Sequence, residues 1–226
     1  MLLLAIDTST SAITVALHDG ATVLAEATTL DARAHAEHLA PQVVEVLAHV
    51  GAAPGEVTEV VVGVGPGPFT GLRVGIVTGR TFAFALGIPV HGLCSLDALA
   101  HEAWQGGRRG GLLVATDARR KEVYAARYVV DGTGATRVGP PEVSRAADLP
   151  EDVRALPTVG RGSTLYPDAL TGGPARLLDV SAGALADLAV RRLAMGGEAG
   201  FDGLEPLYLR RPDAAPAPPS RKSTLG

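Results

Sequence analysis

The sequence predicts an α/β protein of two lobes, each a mixed sheet covered by helices. Three observations predict it. The first hundred residues alternate strand and helix patterns that open in the order βββαβα. A glycine-rich stretch at 106–111 breaks the chain near its middle. A second strand-rich set then follows with a similar opening but fewer and shorter elements. The chain has 226 residues, 46% of them hydrophobic and 19% charged. It can therefore bury a core in one large domain or two small lobes, and wholesale disorder is excluded.

Residues 2–6, LLLAI, read as a first strand that ends at Asp7. Residues 13–17 and 22–29 alternate apolar and polar around an Asp19-Gly20 hairpin turn. Over 35–50 the apolar residues recur at helical spacing, and Gly51 and Pro54 stop the run. Residues 59–64 are nearly all β-branched, as in a strand buried on both faces. They enter Gly65-Pro66-Gly67-Pro68-Phe69, where Thr70 reads as the N-cap of a helix to about Leu86. A strand at 90–93 and a helix at 95–104 complete the set, which is the half-unit of ribonuclease-H-like and actin-like folds. In the second half, 112–116, 122–130, 136–138 and 158–159 read as strands, and 181–195 as a helix capped by Ser181. The expected domains are an N-terminal ribonuclease-H-like lobe at 1–106 and a reduced C-terminal lobe at 107–211. A disordered tail is expected at 212–226, where large apolar residues are almost absent.

Two stretches carry candidate chemistry. Asp7, Thr8, Ser9 and Thr10 stand between the first two strands, where actin-like kinases and ATPases hold a phosphate on backbone N–H groups and hydroxyls. That chemistry wants a glycine for close backbone approach, and Ser9 stands in its place. The plain alternative is an Asx-type turn. Gly65, Gly67 and Thr70 belong to a rigid turn between a buried strand and a helix N-terminus, a ready anion site. The turn lacks the Lys-Ser/Thr of a Walker loop, and its alternative role is a connection fixed by proline. Together these seven residues are the candidate nucleotide- or phosphate-binding remnant. His35 and His38 share a helix turn without a third ligand nearby, so no metal site is expected.

The helices at 35–50 and 70–86 carry a different signal. Gly71, Gly75 and Gly79 recur every fourth residue, although each helical glycine costs about 1 kcal/mol relative to alanine. Another backbone must come close, either the chain's own sheet or a second helix. Both helices are also apolar on more than one side, which expects burial on both sides. At this length that points to a protein–protein interface, with Leu39, Val43, Val46, Leu47, Leu72, Gly75, Ile76, Gly79 and Phe82 as its candidate residues.

Composition limits the partners. A net charge of −4 argues against a chain that grips nucleic acid alone. The cluster Arg108, Arg109, Arg119, Arg120 and Lys121 is either a solvated turn or a contact to RNA phosphate inside a larger assembly. The single Cys94 excludes a disulfide framework. The opening MLLLAID lacks a basic leader and a small-residue cleavage site, and no apolar run reaches membrane-spanning length. A cytoplasmic protein with no membrane contact is expected.

The segments MLLLAIDTST, GVGPGPFTGLRVGIVTGRTFAFALGIPV, DARRKEVYAARY and EPLYLR resemble, in order and spacing, the bacterial TsaB (YeaZ) family over residues 1 to about 211. The resemblance implies an actin-like fold and a part in making threonylcarbamoyladenosine at position 37 of tRNAs that read codons beginning with A. It implies a scaffold or dimerisation subunit without catalytic residues or a cofactor of its own, a nucleotide at the partner interface apart. The implied partners are a TsaD-like catalytic subunit and a TsaE-like ATPase, with tRNA reached only through the complex. A self-sufficient homodimer through the same two helices, with a separate binding role, is a third alternative. Catalytic relatives carry two histidines four apart after the second helix, and the stretch His91 to Ala98 has no such pair. The competing function is an autonomous actin-like enzyme, either an ATP-dependent kinase or a metallopeptidase.

Overall fold

The computed structural model describes residues 1–31, 35–172, 177–196 and 201–210, with the backbone alone at 35–36. The tail expected at 212–226 and the side chain of His35 lie outside the described residues. The first half contains β1 (Leu3–Asp7), β2 (Ala12–His18), β3 (Val23–Leu30), α1 (His35–Val50), β4 (Glu59–Gly63), α2 (Phe69–Leu86), β5 (Val90–Leu93) and α3 (Ser95–Gln105). Its strands form one sheet in the order β3-β2-β1-β4-β5. β1, β2 and β3 are antiparallel neighbours, whereas β4 runs parallel to β1 and β5 parallel to β4. This is the ribonuclease-H-like order, in which the two parallel strands are reached by helical crossovers.

The second half contains β6 (Gly110–Asp117), β7 (Glu122–Val130), β8 (Ala135–Arg145), the single-turn α4 (Glu151–Arg154), β9 (Thr158–Val159), the single-turn α5 (Gly162–Leu165) and α6 (Ala182–Gly196). Its sheet runs β8-β7-β6-β9, the same order one strand short among the described residues. The whole is the actin-like arrangement of two ribonuclease-H-like lobes, the second reduced. β8 is much longer than the predicted 136–138 because it continues through Pro140 and Pro141. Proline donates no ladder hydrogen bond and survives here for two reasons. β8 is an edge strand, and the register slips around Gly139–Pro141, opposite Ala126.

Among the described residues burial divides into three cores. On β1, Leu4 and Ile6 face α1 and α2, while Leu3 and Ala5 face the other way, as the two-residue period of a strand requires. α1 and α2 cover the outer face of the first sheet. The middle core is shared. It joins Leu3, Ala5 and Val61 of the first sheet to Leu112, Val114 and Tyr128 of the second through Leu96 and Leu99 of α3 and Leu185 and Ala189 of α6. The helices between the sheets are exchanged relative to chain order. α3, which closes the first half, packs on β6, β7 and β8, and α6, which closes the second, packs on β1 and β2. A third core under the outer face of the second sheet gathers Leu113, Val123, Leu149, Val153 and Leu170.

The last described segment, 201–210, crosses back over the first sheet. Asp202 pairs with Gly92 of β5, the Leu207 N–H donates to the Val64 carbonyl, and Arg210 ion-pairs with Glu122 of β7.

Candidate functional site

The Asp7–Thr10 turn sits where β1 ends against the start of α3. Asp7 is fully buried. Its Oδ1 accepts from the Ser9 N–H at 2.8 Å and the Ser9 hydroxyl at 2.7 Å, and its Oδ2 from the Ser95 hydroxyl at 2.6 Å. Burial pushes the carboxyl above its usual range; the hydrogen bonds from Ser95 and Ser9 pull it partly back, and the charge of Asp179 raises it further. Thr8 is equally committed. Its hydroxyl donates to the Gly71 carbonyl at 2.7 Å and accepts from the Gly75 N–H at 3.1 Å. Thr8 therefore bolts the turn onto the first two turns of α2.

Gly67 packs against this same turn, and Gly65 is joined to it through Ser95. The Gly65 N–H donates to Ser95 Oγ at 3.0 Å, and a Cβ on Gly67 would collide with the Ser9 carbonyl. The close approach that glycine permits is thus between two segments of the chain itself. Gly63 has the same role beneath Asp7, whose carboxylate occupies the space a Cβ would need. Ser95 and Gly63 are members of the cluster that the sequence did not single out; Ser95 read only as a helix start, which it also is.

Thr70 is not part of this cluster. α2 begins one residue earlier, at Phe69, after an extended Pro68 whose carbonyl accepts the first helical bond from Leu72 N–H. Proline sets that entry without a side-chain cap, so the predicted N-cap role of Thr70 is corrected. Thr70 lies exposed on the outer side of α2.

Between the lobes, Ser9, Thr10, Ser11, Pro68, Thr116, Asp117, Arg161 and Asp179 enclose about 10 Å³. That is room for about one water and not for a phosphate group. Arg161 grips Asp179 with two nitrogens, the shortest contact being 2.6 Å, and Tyr124 Oη reaches the Gly67 carbonyl at 3.3 Å. A nucleotide, which actin-like ATPases hold in this cleft, does not fit the residues as they stand. Among the described residues no group of three or more His, Cys, Asp or Glu side chains is placed to hold a metal ion. His38 faces Asp31 at 3.9 Å.

The candidate interface residues divide by face. Leu39, Val43, Val46 and Leu47 of α1 and Leu72 and Ile76 of α2 are buried on the first sheet. Gly75 lies against Thr8, and Gly79 against Val62 and Val60. Phe82 is partly buried on the same core. The glycine stripe therefore answers to the chain's own sheet, and these nine residues pack inward on it, Phe82 only in part. The outward faces are a different set. Val44 on α1 is 66% exposed, and Val77 and Phe84 on α2 are 58% and 88% exposed, with Phe69, Arg73 and Arg80 along the same stripe. An open groove lined by Leu39, Ala40, Phe69, Val74 and Val77 runs between the helices. Arg73 is held over the Phe69 ring at 3.9 Å and donates to Tyr208 Oη at 2.8 Å.

The basic cluster is also divided. Arg108 and Arg109 follow α3, whereas Arg119, Arg120 and Lys121 form the β6–β7 turn. Eight residues of β6 separate them, on the order of 25 Å of extended chain.

Two sheets of this order around a shared core and a two-lobe cleft define an actin-like α/β protein. The comparisons agree. A family model described as "TsaD: tRNA N6-adenosine threonylcarbamoyltransferase" matches residues 22–157. An uncharacterized protein of Mycobacterium tuberculosis is 43% identical over 219 residues, 94% of this chain and 93% of its own. The Escherichia coli tRNA threonylcarbamoyladenosine biosynthesis protein TsaB is 32% identical over 223 residues, 93% of this chain and 95% of its own. The solved structure of YeaZ from Pseudomonas aeruginosa superposes with a TM-score of 0.78 at 32% identity, covering 92% of this chain and 99% of that one. The chain belongs to the TsaB (YeaZ) family.

Proposed function

We propose that the chain is a non-catalytic subunit in tRNA threonylcarbamoyladenosine biosynthesis and that it docks a TsaD-like catalytic subunit through the outer faces of α1 and α2. The observation that carries this reading is the uncovered apolar stripe of Val44, Phe69, Val77 and Phe84. Exposed apolar side chains aligned on adjacent helices favour a protein partner, because their burial stabilises association by about 25 cal/mol per Å². The sealed cleft supports the non-catalytic part, since Asp7 and Thr8 are occupied with holding the chain together. A TsaE-like ATPase and tRNA then meet the chain only within the complex, in the cytoplasm, and without the TsaD-like subunit the same face pairs two copies.

Co-purification of the full chain with a TsaD-like subunit tests the surface. The double variant Val77→Asp, Phe84→Asp is expected to weaken association at least tenfold. Both sites are exposed, so stability should change by no more than about 0.5 kcal/mol. Undiminished co-elution of the folded double variant would remove this face as the interface. Turnover of ATP or peptide by the isolated chain, lost in Asp7→Ala, would overturn the non-catalytic assignment.

A further inference from the structure

The two lobes meet on one buried carboxylate. Asp97, in the first turn of α3, is 7% exposed. Its Oδ1 accepts from Tyr128 Oη of β7 at 2.7 Å and from Arg137 Nη1 of β8 at 2.9 Å. Its Oδ2 accepts from Arg192 Nη2 of α6 at 2.8 Å. β7 and β8 belong to the second sheet, while α6 packs on the first. Three donors from both sides of the molecule thus converge on a single side chain. A second carboxylate extends the network. Asp202 lies 3.9 Å from Arg137, accepts from the Cys94 N–H at 2.8 Å, and donates its own N–H to the Gly92 carbonyl of β5. Two arginines and two aspartates balance in charge, and burial keeps the Tyr128 phenol protonated far above its ordinary range, so it remains a donor.

We infer that Asp97 is a latch that fixes the lobes against each other and keeps the cleft between them shut. Two-lobed folds commonly open and close by hinge rotation about such a cleft. Here any opening that carries the second sheet away from α6 must separate Arg192 from Tyr128 and Arg137. It would leave the buried Asp97 carboxylate without part of its donor set. The cleft stays at the volume of one water because Asp97 holds its two walls together, and the molecule presents itself to partners as one rigid block. Asp97 acts as a positioning residue and touches no substrate.

The test uses the full chain with spin labels at Glu56→Cys in the first lobe and Asp148→Cys in the second, both exposed. Cys94 does not interfere: it is buried, and that burial pushes its thiol up to about 12. Two variants are compared with this background. Asp97→Asn removes the charge, and Arg192→Met removes the contact from α6, leaving Asp97 its Tyr128 and Arg137 donors. The label-to-label distance distribution is expected to be narrow in the parent and broadened in both variants. Amide exchange at residues 9–11 and 116–117, on the cleft walls, is expected to rise about tenfold more than exchange within β1 and β4. If Asp97→Asn does not fold, Arg192→Met decides alone. A folded Arg192→Met with an unchanged distance distribution overturns the latch. So does exchange that rises uniformly through β1, β4 and the cleft, which would mark a general loss of stability.

Discussion

Glu102, on α3, shows how burial writes a pH dependence into a single residue. Burial, and next the nearby charge of Glu26, push its carboxyl from an ordinary 4.5 up to about 7. The folded chain therefore keeps this proton over an interval in which the unfolded chain has lost it. A raised acid binds more protons folded than unfolded, so stability falls as pH rises from about 4.5 through about 7. The lowered His101 contributes a slope of the opposite sign, so across that interval melting temperatures should fall more, or rise less, with pH in the parent than in Glu102→Gln. Asp7 is shifted in the same direction, so the difference between parent and variant isolates Glu102. Equal slopes in the two proteins would show that Glu102 is not held protonated. Neither effect was legible in the sequence, since Glu102 lies at an ordinary exposed-looking position of an amphipathic helix, and only the packing of α3 against neighbouring elements desolvates it.

At the scale of elements, α2 carries the clearest lesson about period against face. The four-residue glycine spacing was plain in the sequence, and it correctly required a close approach. What approaches is Thr8, whose hydroxyl bridges the Gly71 carbonyl and the Gly75 N–H, and next along the stripe Val62. A methyl at Gly75 would gain about 1 kcal/mol of helix propensity. Against that stands overpacking of about 1–3 kcal/mol and the loss of a buried bridge worth on the order of 1 kcal/mol per bond. Gly75→Ala is therefore expected to destabilise the chain by about 2 kcal/mol in denaturant titration, and a neutral or stabilising result would mean that Thr8 is free to move. The predicted interface residues faced inward for the same reason. A helix that is apolar all round has two faces, and nothing in its sequence says which one meets the sheet. Val44, Val77 and Phe84 are as apolar as Val43, Ile76 and Leu72, yet only the first three remain exposed.

The whole molecule is organised by the exchange of α3 and α6. Because the middle core takes side chains from both sheets and both helices, neither lobe can unfold without stripping apolar surface from the other. Each of the large aliphatic residues in that core contributes about 1.5–3 kcal/mol by burial, which strongly couples the lobes. Calorimetry should give one transition, with calorimetric and van't Hoff enthalpies in agreement. Two resolved transitions would show that the lobes are energetically separate. The predicted boundary at 106/107 follows the chain, whereas the packing crosses it: α3 lies on the sheet of the second half, and the 201–210 segment returns to the first.

The sequence by itself determined the order of elements through β7, the two-lobe plan and the Ser181 cap of α6, whose hydroxyl accepts from the Ala184 N–H and donates to Glu26. These are set by local rules of apolar period, turn chemistry and capping, which act within a few residues. The sequence also carried the motifs that mark the TsaB family. Only the tertiary structure decided that the Asp7–Thr10 turn is sealed, that the glycine stripe faces the sheet, and that Asp97 joins elements up to 95 residues apart. Those facts depend on which surfaces meet. Long-range contact is set by how whole faces pack, and the residues it unites leave no periodic or local trace in the chain.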